Sequence, residues 1–125
     1  MTKIAIVYFS GYGHTARQAA AVQRGAALAP EAQVTMLRID ENGNLPEGSM
    51  DVLAQQDAVI YGSPTYMGGP AWQFKKFADA SSSLWFVQGL KNTLAAGFTN
   101  SAGVNGDKFS TIQYLFTLSQ QHGQV

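Results

Sequence analysis

The chain reads as a single α/β domain over residues 1–125, a parallel sheet covered by helices. Ile4 to Phe9 and Asp57 to Tyr61 are short apolar runs of the kind found in strands buried on both faces. Stretches with helical spacing lie between the runs, so strand and helix alternate. Three of the strands leave through turns rich in glycine, serine and threonine.

Ile4 to Phe9 is the first strand. Ser10 to Thr15 turns into a helix over Ala16 to Ala29, which Pro30 closes. Ala16, Ala19, Ala20, Ala26 and Ala27 form its expected inner face, small enough to sit close to a sheet. Val34 to Ile39 is a second, less apolar strand suited to an edge. Asp40 to Ser49 is a polar loop with an Asn42-Gly43 turn signal, and a short helix is expected over Met50 to Gln55. Asp57 to Tyr61 is the third strand, ended by Gly62-Ser63-Pro64. Pro70 suits the first turn of the next helix, whose Phe74, Phe77 and Ala78 share one face. Thr93 to Phe98 is the fourth strand. Asp107 is a good N-cap for a last helix carrying Phe109, Ile112 and Phe116 on one side.

Eight basic and eight acidic residues cancel. That removes the basic face nucleic-acid binding needs and the polybasic stretch that holds a chain to an anionic membrane. Charged residues are 13% of the chain, about half the usual ~25%, and so sparse a charge favours subunit contacts. With no cysteine, disulfides, thiolate catalysis and cysteine-ligated metals are excluded. His14 and His122 are too far apart in sequence to make a metal site alone. The apolar run near the start is far shorter than the ~20 residues of a membrane span, and no small-residue cleavage site follows it. The expectation is a cytoplasmic protein without membrane insertion.

In open parallel sheets ligands bind beyond the carboxyl ends of the strands. Ser10–Thr15, Gly62–Gly69 and Thr99–Gly106 therefore converge on one site. Ser10-Gly11-Tyr12-Gly13-His14-Thr15 runs from a buried strand into a helix start, where free N–H groups and the helix dipole attract an anion such as phosphate. The alternative there is an ordinary strand–helix turn. The Gly-Lys-Ser/Thr of a triphosphate loop is missing, and no strand-end carboxylates suit a phosphoacceptor. Gly11, Gly13 and Ala16 fit the dinucleotide fingerprint, with Asp40 closing the second strand, but that motif leaves the aromatic second loop unexplained. In the second loop Tyr66 and Met67 suit a flat ring, and Thr65 suits its polar edge. The other reading is that both pack onto the protein. The third loop either lines the same ring or is solvated. His122 alone reads as a cation at a helix C-terminus, and Trp85 as core or interface.

Tyr8-Phe9-Ser10-Gly11-Tyr12-Gly13-His14-Thr15 resembles the phosphate loop of flavodoxin-like FMN proteins. Its Tyr-Gly-His form is similar to that of the NAD(P)H:quinone oxidoreductases of the tryptophan-repressor-binding-protein A type (WrbA-like). Gly62-Ser63-Pro64-Thr65-Tyr66-Met67-Gly68-Gly69 resembles that family's flavin-ring loop, with Tyr66-Met67 where the best-known members have arginine and phenylalanine. Leu84-Trp85, the Thr99–Gly106 loop and Gln121-His122-Gly123 fall in matching order.

The resemblance implies a flavodoxin-like three-layer sandwich with parallel sheet order 2-1-3-4. It also implies a fragment, clipped product or truncated variant, because the family's fifth strand is only begun and its last helix is missing. The fourth strand's edge would then be covered by another copy or by a crystal neighbour. The same resemblance implies non-covalent FMN, with Ser10, Tyr12, Gly13, His14 and Thr15 on the phosphate. Pro64, Thr65, Tyr66, Met67 and Gly68 would hold the isoalloxazine, and Asn100, Ser101 and Gly103 would complete its pocket. Trp85 and His122 would border the substrate side as the catalytic candidates. The implied activity moves electrons from NAD(P)H to a quinone, in a dimer or tetramer. The alternatives are a flavodoxin-type electron carrier without its own NAD(P)H step, or a truncated fragment unable to hold FMN.

Overall fold

The computed structural model describes all residues, Met1 to Val125. Its elements are β1 (Thr2–Phe9), α1 (His14–Ala27), β2 (Ala32–Ile39), α2 (Ser49–Leu53), β3 (Ala58–Tyr66), β4 (Gly69–Pro70), α3 (Trp72–Ala80), α4 (Ser82–Phe86), β5 (Leu94–Asn100) and α5 (Lys108–Gln121). The main sheet is parallel in the order β2-β1-β3-β5. This is the expected 2-1-3-4 order; the number of the fourth main strand rises by one because two-residue β4 intervenes.

The central strands are apolar because both their faces are covered. Ile6 and Tyr8 of β1 pack with Ala19 of α1 and Phe98 of β5 on one face. Ala5, Val7 and Phe9 point the other way, into a larger core with Leu53, Phe74, Phe77, Leu115 and Leu118. So α1 covers one face, and α2, α3 and α5 cover the other, giving three layers. Gly62 permits the close approach of Phe98, whose ring leaves no room for a side chain there. On its outer side the start of β5 is bonded to the end of the chain, where Val125 donates to Thr93 O at 2.8 Å and accepts from Ala95 N at 2.8 Å.

Several expectations need correction. The first helix begins at His14, and Ala19 is its buried alanine, whereas Ala27 is exposed. β3 does not end at Gly62-Ser63-Pro64. It runs on to Tyr66 because β5 continues beside it, pairing Ser63 with Thr99 and Pro64 with Asn100. β1 stops beside Gly62, so Pro64 faces no β1 carbonyl. Pro70 belongs to β4 and α3 starts two residues later, at Trp72. Asp107 stands at the N-cap position but makes no capping bond: its φ of 56° is left-handed, whereas a capping side chain needs extended backbone. Phe109, Ile112 and Phe116 do share one side of α5, but it is the exposed side. Thr111, Leu115, Leu118 and Ser119 face inward.

Candidate functional site

The carboxyl ends of β1, β3 and β5 bring the three loops around one cavity of about 550 Å³. Tyr12, His14, Thr15, Pro64, Thr65, Tyr66, Asn100 and Ser101 line it, eight of the expected site residues, together with the unexpected Ala102. No carboxylate lines the cavity.

The first loop opens a helix start. Gly13 takes φ 93°, left-handed backbone that glycine adopts without penalty, and α1 begins at the next residue. Ser10 lies behind the loop, 8% exposed, and its Oγ accepts from Gly13 N at 3.2 Å and Ala16 N at 3.0 Å. Both lone pairs of that hydroxyl are thus used, and its hydrogen is left to donate. The amides of Tyr12, His14 and Thr15 find no acceptor within the protein. A buried, unpaired donor is costly, and Thr15 is only 2% exposed. An anion in the cavity would satisfy these groups. Arg38 of β2 lies beside this loop: its Nη2 donates to Ser10 O at 3.5 Å, and its guanidinium lies 5.8 Å from the Tyr8 ring centroid.

The second loop is a β-hairpin. Met67 (φ 50°) and Gly68 (φ 79°) make its two-residue tip, and Thr65 and Tyr66 pair with Pro70 and Gly69. Positive φ at both tip residues is what a type I′ turn demands. Ser63 Oγ fixes the base by accepting from Ala71 N at 3.0 Å. Tyr66 stands edge-on to Tyr12, centroids 6.0 Å apart, and burial holds its hydroxyl above the ordinary tyrosine value, so it stays a neutral donor. Met67 is fully exposed at the tip, and neither it nor Gly68 lines the cavity.

The third loop is tied to its neighbours by side chains. Thr65 Oγ1 donates to Thr111 Oγ1 at 2.8 Å, and with its one hydrogen spent it accepts from Thr99 Oγ1 at 2.8 Å. Asn100 Nδ2 donates to Thr15 Oγ1 at 2.9 Å and to Gln18 Oε1 at 2.8 Å. Lys108 Nζ gathers the rest of the loop, donating to Ser101 Oγ at 2.7 Å and to the carbonyls of Val104, Gly103 and Asn105 at 2.8, 3.2 and 3.3 Å. Gly103 shapes this turn but does not line the cavity. Sequence reasoning missed Gln18, Arg38 and Lys108. Only Gln18 carried a signal: it sits three residues after Thr15, on the same helix face.

Trp85 and His122 are not brought to this cavity. The 14-residue α5 starts beside the third loop and, at 1.5 Å per residue, carries the chain roughly 21 Å away before His122. There His122 Nε2 lies 2.9 Å from Ser81 Oγ, beyond the end of α3, and Gly123 O accepts from Asn92 N, ahead of β5. Trp85, half exposed, shares that far end. Within one copy of the chain neither side chain therefore borders this cavity. Nor is His122 a helix-end cation. Ser81 gives its hydrogen to Ala78 O at 2.6 Å, so Nε2 must carry the proton and Nδ1 keeps a buried lone pair without a donor. Burial lowers the His122 pKa below the ordinary 6.5. Above pH 6.5 the group is neutral folded and unfolded alike. Below it the unfolded chain takes up a proton that the folded one resists, so stability falls with pH through that window. Urea midpoints measured from pH 7.5 down to 5.5 should fall in the parent and fall less in His122→Asn. Equal slopes would exclude the group as the cause.

No helix is long and apolar enough to cross a membrane. No group of three or more His, Asp or Glu side chains comes together as a metal site.

No protein-family model matches the chain. It is 48% identical over 125 residues to flavodoxin FldP of Pseudomonas aeruginosa, spanning all of this chain and 65% of that protein. It is 33% identical over 140 residues to an NAD(P)H dehydrogenase (quinone) of Geobacter sulfurreducens, spanning 98% of this chain and 69% of that one. The crystal structure of a flavodoxin, a WrbA-like protein from Agrobacterium tumefaciens, superposes with a TM-score of 0.92 at 51% identity, over 100% of this chain and 76% of that one. The chain thus spans about two thirds to three quarters of the length of these relatives. With the parallel β2-β1-β3-β5 sheet and the resemblance of its first two loops borne out at this level of identity, the chain belongs to the flavodoxin-like family.

Proposed function

We infer that the cavity binds FMN without covalent attachment and that the protein is an oxidoreductase passing electrons from NAD(P)H to a quinone. The observation that carries the FMN reading is the set of unpaired donors at the start of α1. Three free amides, those of Tyr12, His14 and Thr15, belong to residues that line a cavity without carboxylates, and this suits a phosphate monoester. Ser10, Tyr12, Gly13, His14 and Thr15 would form that end, Gly13 through the left-handed turn that opens the helix start and Ser10 by bracing that turn. Pro64, Thr65 and Tyr66 of the hairpin and Asn100, Ser101 and Ala102 of the third loop would hold the ring. A volume of about 550 Å³ lies within the usual ~300–1,000 Å³ of cofactor sites.

When bound, FMN supplies the electron-transfer chemistry; the protein supplies position and electrostatics. The Thr99–Thr65–Thr111 hydroxyl chain keeps the hairpin, β5 and α5 at fixed spacing, and Tyr66 presents a neutral hydroxyl at the cavity wall. The activity for which the Geobacter relative is named supports this choice of electron donor and acceptor. The name of the Pseudomonas relative favours a second reading, a flavodoxin-type carrier reduced by a protein partner. The exposed Phe86, Phe109 and Phe116 support self-association, read here as a homodimer or homotetramer, and the reading places the protein in the cytoplasm.

One anaerobic titration separates the readings. The FMN-loaded protein should lose its visible flavin band on adding NADPH or NADH and regain it with benzoquinone. Bleaching by dithionite alone would establish the carrier instead. Failure to retain FMN would remove both.

A further inference from the structure

The geometry points to Gln18, which lies outside all three loops, as a positioning residue that fixes the Thr15 hydroxyl as an outward hydrogen-bond donor; the inference rests on the FMN reading above. The Gln18 side-chain amide is a clasp between α1 and the third loop. Its Nε2 donates to Thr99 O at 3.0 Å and its Oε1 accepts from Asn100 Nδ2 at 2.8 Å. The second hydrogen of the same Asn100 nitrogen goes to Thr15 Oγ1 at 2.9 Å. Both Asn100 hydrogens are thereby committed.

Turning Asn100 over would set its oxygen against Gln18 Oε1 and lose that bond, so Gln18 decides which way that amide faces. Thr15 Oγ1 must then accept from Asn100, and its own hydrogen has no acceptor inside the protein. The hydroxyl of a residue only 2% exposed is thus left to donate toward the cavity that the residue lines. An acceptor-only group satisfies it, and the phosphate of FMN is one. Without the Gln18 amide, Asn100 is free to turn, and Thr15 can spend its hydrogen inward on the Asn100 oxygen.

The test compares FMN with riboflavin, which has the same ring and no phosphate. Gln18→Leu keeps the side chain's bulk without its amide. It should weaken FMN binding about tenfold and riboflavin binding by much less, read by quenching of flavin fluorescence. If Gln18 acts through Thr15, adding Gln18→Leu to Thr15→Val should cost less than about twofold more, because coupled residues are not additive. In the cofactor-free protein the Asn100 side-chain amide hydrogens should exchange slowly, and faster in Gln18→Leu, by NMR. An unchanged FMN affinity, an equal loss of both flavins, or full additivity with Thr15→Val would overturn the inference. If the parent chain binds no FMN, the functional reading fails and the inference with it, and that result is visible before any variant is made.

Discussion

Phe74→Ala is expected to lower the unfolding free energy by about 3–5 kcal/mol, the usual cost of emptying a buried phenylalanine site. Phe74 is fully buried at the centre of the larger core. Its ring meets Tyr61 at 90° with centroids 6.2 Å apart, and Phe77 at 68° and 5.5 Å. Edge-to-face pairs of this kind add to the area term, so truncation loses two aromatic contacts as well as the transfer energy. Tyr61 in turn donates to Gln124 Oε1 at 2.7 Å, and a shift of its ring would strain that bond. Domains are stable by only about 5–15 kcal/mol, so the variant should sit near its folding limit. Urea denaturation followed by circular dichroism measures the change. A loss under about 1 kcal/mol would mean the core collapses around the missing ring.

The paired change Ser10→Ala and Thr15→Val should weaken FMN by about 1–3 kcal/mol, roughly 5- to 150-fold in the dissociation constant. Thr15→Val removes a hydroxyl hydrogen at the cavity wall, and Ser10→Ala removes the hydroxyl that braces the loop from behind. Ser10→Ala also leaves the amides of Gly13 and Ala16 without their acceptor. Those amides then compete for the phosphate, which offsets part of the loss and keeps the estimate moderate. Fluorescence titration of the cofactor-free protein reads the effect. An unchanged affinity would place the phosphate elsewhere.

The parts of this molecule that sequence makes legible are those set by local pattern. The unbroken apolarity of Ile4 to Phe9 reports a strand covered on both faces, and Phe74, Phe77 and Ala78 report a buried helix stripe. The cavity is legible for a related reason: a parallel sheet must deliver its β–α loops to one end, so Thr15, Thr65 and Asn100 meet although they are far apart in the chain. What stayed hidden depends on distant partners. Ser63 to Tyr66 look like a turn until β5 and β4 supply their ladders. Thr111 looks like a surface residue until Thr65 is found bonded to it, whereas the aromatic side of the same helix, Phe109, Ile112 and Phe116, is exposed. His122 matched a motif in order, but order along a chain says nothing about which end of a helix reaches the ligand.

The collar of oxygens around Lys108 bears on how the third loop keeps its shape. An ammonium has three hydrogens, and four acceptors surround this one, so two of them share a hydrogen. Loops of this form commonly enclose a dissolved ion, whose occupancy varies with its concentration. Here the cation is carried by the polypeptide itself, so it cannot be chelated or diluted away. The vulnerability shifts to chemistry on the amine: acylation would erase the charge and leave the carbonyls of Gly103, Val104 and Asn105 facing one another.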